Sequence, residues 1–95
     1  MIRWSKLASV QFKAIHDYIA KDSLRAAQKQ ASLIMNAVDQ LERFSRSGRP
    51  GNSSVKRELP VSGTPYILYY RLKDDAVELA SIRHAARKKP RRFSE

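Results

Sequence analysis

The chain has no cysteine among its 95 residues, so a disulfide framework, a thiolate zinc site and a cysteine nucleophile are all excluded. Acidic residues are few: nine Asp and Glu stand against nineteen Lys and Arg, a formal charge of +10. Glycine is scarce at three, which argues against a flexible or low-complexity chain. No apolar run approaches the ~20 residues that would cross a bilayer, and Met1-Ile2-Arg3-Trp4-Ser5 lacks the apolar segment of a secretory leader. A protein without membrane attachment, not exported, is expected. The two histidines are far apart in sequence, so no metal centre is expected and no cofactor is implied.

What is present is apolar patterning in a length that suits one domain, 1–95, with 42% hydrophobic residues. Ser5 is placed to cap a helix, and Ala8, Phe12, Ile15, Tyr18 and Ile19 recur at helical spacing. After Asp22-Ser23, either of which can cap, Ala27, Ala31, Ile34, Val38 and Leu41 form a second stripe, widened by Leu24, Met35 and Phe44. Two amphipathic helices with so short a break predict an antiparallel hairpin, packed closely through Ala20, Ala26, Ala27 and Ala31.

Ser45 to Ser54 reads as a loop, and the period then changes from helical to two. Val55 to Leu59, Tyr66 to Leu72 and Val77 to Ile82 are three strands joined by short turns, hence an antiparallel meander. Met1 to Trp4 is a candidate edge strand. The Tyr66 strand is apolar on both sides, with Tyr66, Leu68 and Tyr70 on one face and Ile67 and Tyr69 on the other. The hairpin can cover only one of them.

The charge has a direction. Ten of the nineteen basic residues fall within residues 55–95, and the last strand leads through Arg83-His84 into Arg87, Lys88, Lys89, Arg91 and Arg92. That pattern suits an anionic partner: nucleic acid, the ribosome or an acidic protein surface. A basic but merely solvated surface is the plainer reading of the same charge.

The residues in order carry a resemblance. Trp4-Ser5, Ala8, Phe12, Ile15, Tyr18-Ile19-Ala20, Asp22, Ala26-Ala27, Ile34, Ala37-Val38, Leu41 and Phe44 begin it. Gly48-Arg49-Pro50-Gly51, Arg57-Glu58-Leu59, Val61, Gly63-Thr64-Pro65-Tyr66-Ile67, Tyr70-Arg71, Val77-Glu78, Ile82, His84 and Arg87 complete it. The chain resembles the ParE branch of the RelE/ParE superfamily, toxins of bacterial type II toxin–antitoxin pairs. The resemblance implies an α+β fold: a short N-terminal strand, a two-helix hairpin, a three-stranded antiparallel sheet and a basic C-terminal tail. It also implies a cytoplasmic bacterial toxin that inhibits DNA gyrase by binding, and a cognate ParD-like antitoxin forming a hetero-oligomer with it. The antitoxin is then expected along the hairpin, near Leu7, Phe12, Ile15, Ile34, Val38 and Leu41. The target is expected at Arg83, His84, Arg87, Lys88, Lys89, Arg91 and Arg92.

A competing expectation is messenger-RNA cleavage on the ribosome, as in RelE-like members. That chemistry needs a proton-transfer group near a 2′-hydroxyl and cations around the phosphorane. Arg57, Arg71 and His84 are its candidates, with Glu58 and Arg83 as further choices. Against it, strand alternation puts Arg57 and Glu58 on opposite faces. Tyr66 also stands where the resemblance would place a RelE-like arginine. Without a catalytic set, the chain is expected not to be an enzyme. A third reading is a small basic nucleic-acid binder.

Overall fold

The computed structural model describes residues 1–51 and 56–87. Val55 and Lys88, Lys89, Arg91 and Arg92 lie outside the described residues.

Strand β1 (Ile2–Trp4) leads into helix α1 (Lys6–Ala20) and helix α2 (Leu24–Arg43). Strands β2 (Arg49–Pro50), β3 (Lys56–Pro60), β4 (Tyr66–Lys73) and β5 (Ala76–His84) follow, and a 3-10 turn spans Ala85–Arg87. Both helices start where a serine takes up an orphan amide of the first turn. Ser5 Oγ accepts from Ala8 N at 2.9 Å, and Ser23 Oγ accepts from Ala26 N at 3.0 Å. Ser23, not Asp22, is therefore the second cap.

The sheet is larger than the sequence suggested. Its five strands run in the order β1-β5-β4-β3-β2, with β1 parallel to β5 and the other pairs antiparallel. The expected edge strand thus joins the sheet beside β5, and part of the expected loop is the short edge strand β2. Two residues with a proline and a following glycine leave no readable alternation, so β2 carried no sequence signal.

One side of the sheet is covered by the hairpin. Leu59, Val61, Tyr66, Leu68, Tyr70, Val77, Leu79 and Ile82 meet Ala8, Ile34, Ala37, Val38 and Leu41 there, with Trp4 and Phe12 packed edge to face at 5.5 Å. Each fully buried Leu or Ile is worth about 1.5–3 kcal/mol of transfer free energy.

β5 is not regular. Tyr69 pairs with Ser81 but Tyr70 pairs with Leu79, so Ala80 is an extra residue, a β-bulge. Ser5 tethers it, its hydroxyl donating to the Ala80 carbonyl at 2.8 Å while its amide donates to Leu79 O at 3.0 Å. Just beyond, Gln11 Oε1 accepts from Ile82 N at 2.8 Å, tying α1 to the strand. The bulge reverses the parity of β5. Val77 and Leu79 face the helices before it; Ile82 and His84 face them after it.

Candidate functional site

The face of the sheet opposite the hairpin, called the open face for its exposed Arg3, Arg49, Lys56, Arg71 and Lys73, is the first surface to consider, although Ile67, Ser81 and Ala76 on it are buried. One row crosses four strands: Arg3, Glu78, Arg71 and Lys56 lie side by side on β1, β5, β4 and β3. The next row is Ser81, Tyr69, Glu58 and Arg49, and a third is Arg83, Ile67 and Pro60. Lys73 lies one step beyond Arg71 on the same face.

Both carboxylates on this face are held by arginines. Glu78 accepts from Arg71 Nε at 2.7 Å and lies 3.7 Å from Arg3 Nη1; Glu58 lies 3.5 Å from Arg49 Nη2. The hydrogen bond from Arg71 holds the Glu78 carboxyl below its usual range. Arg83 Nε reaches Ser81 Oγ at 3.3 Å, and its guanidinium sits 6.0 Å from the Tyr69 ring centroid. Burial, and then the neighbouring Glu58 charge, push the Tyr69 phenol up and keep it protonated.

Arg57 is on the other side. Its Nη1 donates to the Gly48 carbonyl at 2.9 Å, inside the link between α2 and β3, and its Nε is buried without a partner among the described residues. Tyr70 seals the same link: its hydroxyl accepts from Gly48 N and donates to Ser45 O, each at 2.9 Å. Arg57 and Glu58 are thus on opposite faces, as alternation requires.

His84 also faces the helix side, edge to face with Tyr66 at a centroid distance of 5.4 Å. Its Nδ1 accepts from Ala86 N at 3.1 Å, which places the proton of the neutral ring on Nε2 and shapes the turn at Ala85–Arg87. Arg83 and His84, adjacent in the expected target surface, therefore point to opposite faces of β5. Arg87 lies in the turn.

The three residues of the cleavage constellation are not brought together. Arg71 is on the open face, Arg57 and His84 on the covered one. The partners of the last two on β4, Tyr70 and Tyr66, are four residues apart, roughly 13 Å of strand. Among the described residues no group of three or more His, Cys, Asp or Glu side chains could hold a metal ion. No described helix is long and apolar enough to cross a membrane.

The hairpin divides the expected antitoxin residues. Leu7 is exposed, and Phe12 and Ile15 are half-buried. Ile34, Val38 and Leu41 are at most 3% exposed and belong to the core. They are corrected from docking residues to core residues, since a stripe at helical spacing looks the same whether the sheet or a partner covers it. Outside the core stripe, Val10 and Tyr18 on α1 and Leu24 on α2 are exposed. Sequence reading missed Arg3, Arg49, Lys56, Tyr69 and Lys73 as one surface. Alternation along β4 linked Tyr69 with Arg71, but the cross-strand partners needed the register.

A helical hairpin on one face of a small antiparallel-dominated sheet, with a row of charged side chains on the other, defines a class of compact basic α+β proteins. The family comparison names it: the model of the ParE toxin of the type II toxin–antitoxin system, parDE, matches residues 2–89, and this chain belongs to that family. It is 39% identical over 89 residues to the protein named "Putative toxin Y4kP" from Sinorhizobium fredii, covering 94% of this chain and 92% of that one. It is 38% identical over 84 residues to Toxin RelE2 of Caulobacter vibrioides, covering 88% and 93% respectively. A chain from the chromosomal ParDE TA system of P. aeruginosa has the same fold, with a TM-score of 0.78 at 23% identity over 87% of this chain and 92% of that one.

Proposed function

We propose that this ParE-family toxin arrests growth by binding bacterial DNA gyrase, without catalysing a reaction, and that a cognate ParD-like antitoxin neutralises it in a hetero-oligomeric complex. The observation that supports the non-catalytic part is the scatter of Arg57, Arg71 and His84 over two faces of the sheet. Arg57 is engaged with the Gly48 carbonyl and His84 with the Ala86 amide, both in structural bonds. No general base and cation cluster converge around a single point among them.

The target surface in this reading begins at the end of β5 with Arg83 and His84 and continues through Arg87 into the basic residues Lys88, Lys89, Arg91 and Arg92. The antitoxin is assigned to the hairpin, where Leu7 is exposed and Phe12 and Ile15 are half-buried. Phe12 and Ile15 pack against the core, so the exposed apolar side chains of Leu7, Val10 and Tyr18 are the ones that fit an amphipathic partner segment.

The test is a supercoiling and cleavage assay with purified gyrase. Stabilised cleaved DNA or blocked supercoiling, relieved by the antitoxin, is the expected result; unchanged gyrase activity at toxin excess rejects it. The RelE-named relative keeps messenger-RNA cleavage as the second reading. Ribosome-bound messenger cut by the wild type but not by His84→Ala would establish that one instead.

A further inference from the structure

We infer that the sheet face opposite the hairpin is a binding surface for a single-stranded nucleic-acid backbone, centred on Tyr69. Six cations, Arg3, Arg49, Lys56, Arg71, Lys73 and Arg83, share this face with two carboxylates, Glu58 and Glu78. Each carboxylate is already matched by an arginine, so the face keeps a clear positive excess. Cations on one strand repeat every second residue, about 7 Å apart. On β4, Lys73 and Arg71 continue directly to Tyr69.

The distribution of apolar surface selects the kind of partner. Among the described residues every large exposed hydrophobic side chain lies on the N-terminus, the hairpin or the cap of α2, and none lies on the open sheet face. A protein segment gains its affinity from buried apolar anchors, which the hairpin offers and this face does not. A polyanionic strand gains it from charge neutralisation plus stacking on an aromatic ring, which is what this face offers. Tyr69 is half-buried, flanked by the Arg83 guanidinium, and stays a neutral ring. The covered side of the sheet provides a rigid base for the array, because the hairpin packs against it. Double-helical DNA suits it less, since stacking on Tyr69 requires an unpaired base.

The test uses the full chain and a fluorescein-labelled oligothymidylate of about 12 nucleotides, followed by anisotropy from about 50 to 200 mM salt. The double variant Lys56→Gln/Lys73→Gln removes two exposed cations that no core contact requires. It should weaken binding at least tenfold at the lower salt and reduce the log–log salt slope by about 1.4, two phosphate contacts at ~0.7 each. Tyr69→Leu, with its fold checked by circular dichroism, should weaken binding by about fivefold or more. A tail variant with Lys88, Lys89, Arg91 and Arg92 changed to Gln should still bind and still respond to the sheet substitutions. No binding at low salt overturns the inference. So does binding that the tail variant abolishes and the sheet variant leaves intact, or equal competition by polyglutamate, which would assign the face to acidic protein. Gyrase inhibition is measured separately, so its absence would leave this surface standing.

Discussion

The Tyr70 hydroxyl and the Gly48 amide lock the link between α2 and β3, with the phenol oxygen 2.9 Å from Gly48 N and 2.9 Å from the Ser45 carbonyl it donates to. The approach leaves no room for a side chain. A Cβ at Gly48 would lie 2.5 Å from the Tyr70 oxygen and 2.8 Å from the Glu58 carbonyl. Gly48→Ala should therefore cost about 1–3 kcal/mol by overpacking. Tyr70→Phe should cost a similar ~1–3 kcal/mol by leaving buried groups unpaired. Urea unfolding midpoints measure both, and an unchanged midpoint in either would contradict the lock.

Core and surface positions on the hairpin should separate cleanly. Ile34→Ala removes a fully buried side chain and should cost about 2–5 kcal/mol. Tyr18→Ala, at a side chain 67% exposed, should stay within about 0.5 kcal/mol. On the antitoxin reading, Tyr18→Ala and Leu7→Ala should instead weaken antitoxin binding in calorimetry while the melting curve stays in place.

The Arg71–Glu78 pair sets a pH dependence whose sign follows from the depressed carboxyl. The folded state holds the proton of Glu78 less tightly than the unfolded chain does. Its contribution is therefore present above the ordinary glutamate pKa of ~4.3 and is lost as pH falls below it, through the lower folded value. The pair is solvent-exposed, so the effect is small and should shrink further in high salt. Melting temperatures of wild type and Glu78→Gln should converge on acidification from neutral pH; parallel curves would show that the pair contributes nothing.

Truncation after Arg87 separates the two proposed basic surfaces. If the tail binds the target, the shortened chain should lose gyrase inhibition, keep its melting temperature and keep oligothymidylate binding that responds to Lys56 and Lys73. Full gyrase inhibition by the shortened chain would move the target surface away from the tail.

Much of the scaffold was legible because its signals are local. Ser5 and Ser23 precede apolar stripes at helical spacing, and the caps formed there. The short turn expected before β4 falls at Gly63-Thr64-Pro65; Gly63 has φ 83, and Thr64 Oγ1 donates to the Val61 carbonyl. Asp74 turns the chain between β4 and β5 at φ 51, a left-handed conformation that aspartate tolerates better than most residues. β2 was not legible, because Arg49 pairs with Glu58 rather than with a residue next to it in sequence, and two residues show no period.

The sequence by itself determined the hairpin, the three-strand meander, the separation of Arg57 from Glu58 and the basic balance, since each rests on periodicity, capping or charge. Only the tertiary structure decided which stripe faces the sheet, and so that Ile34, Val38 and Leu41 are core rather than docking residues. It also decided the fate of Arg83 and His84. Alternation from Val77 would have sent Arg83 to the helices and His84 to the open face. The bulge at Ala80, tethered by Ser5 from the other end of the chain, reverses that parity. Arg83 thereby joins Tyr69 on the open face, and His84 turns inward against Tyr66. A one-residue insertion in a strand has no local signature when it is held by a contact 75 positions away.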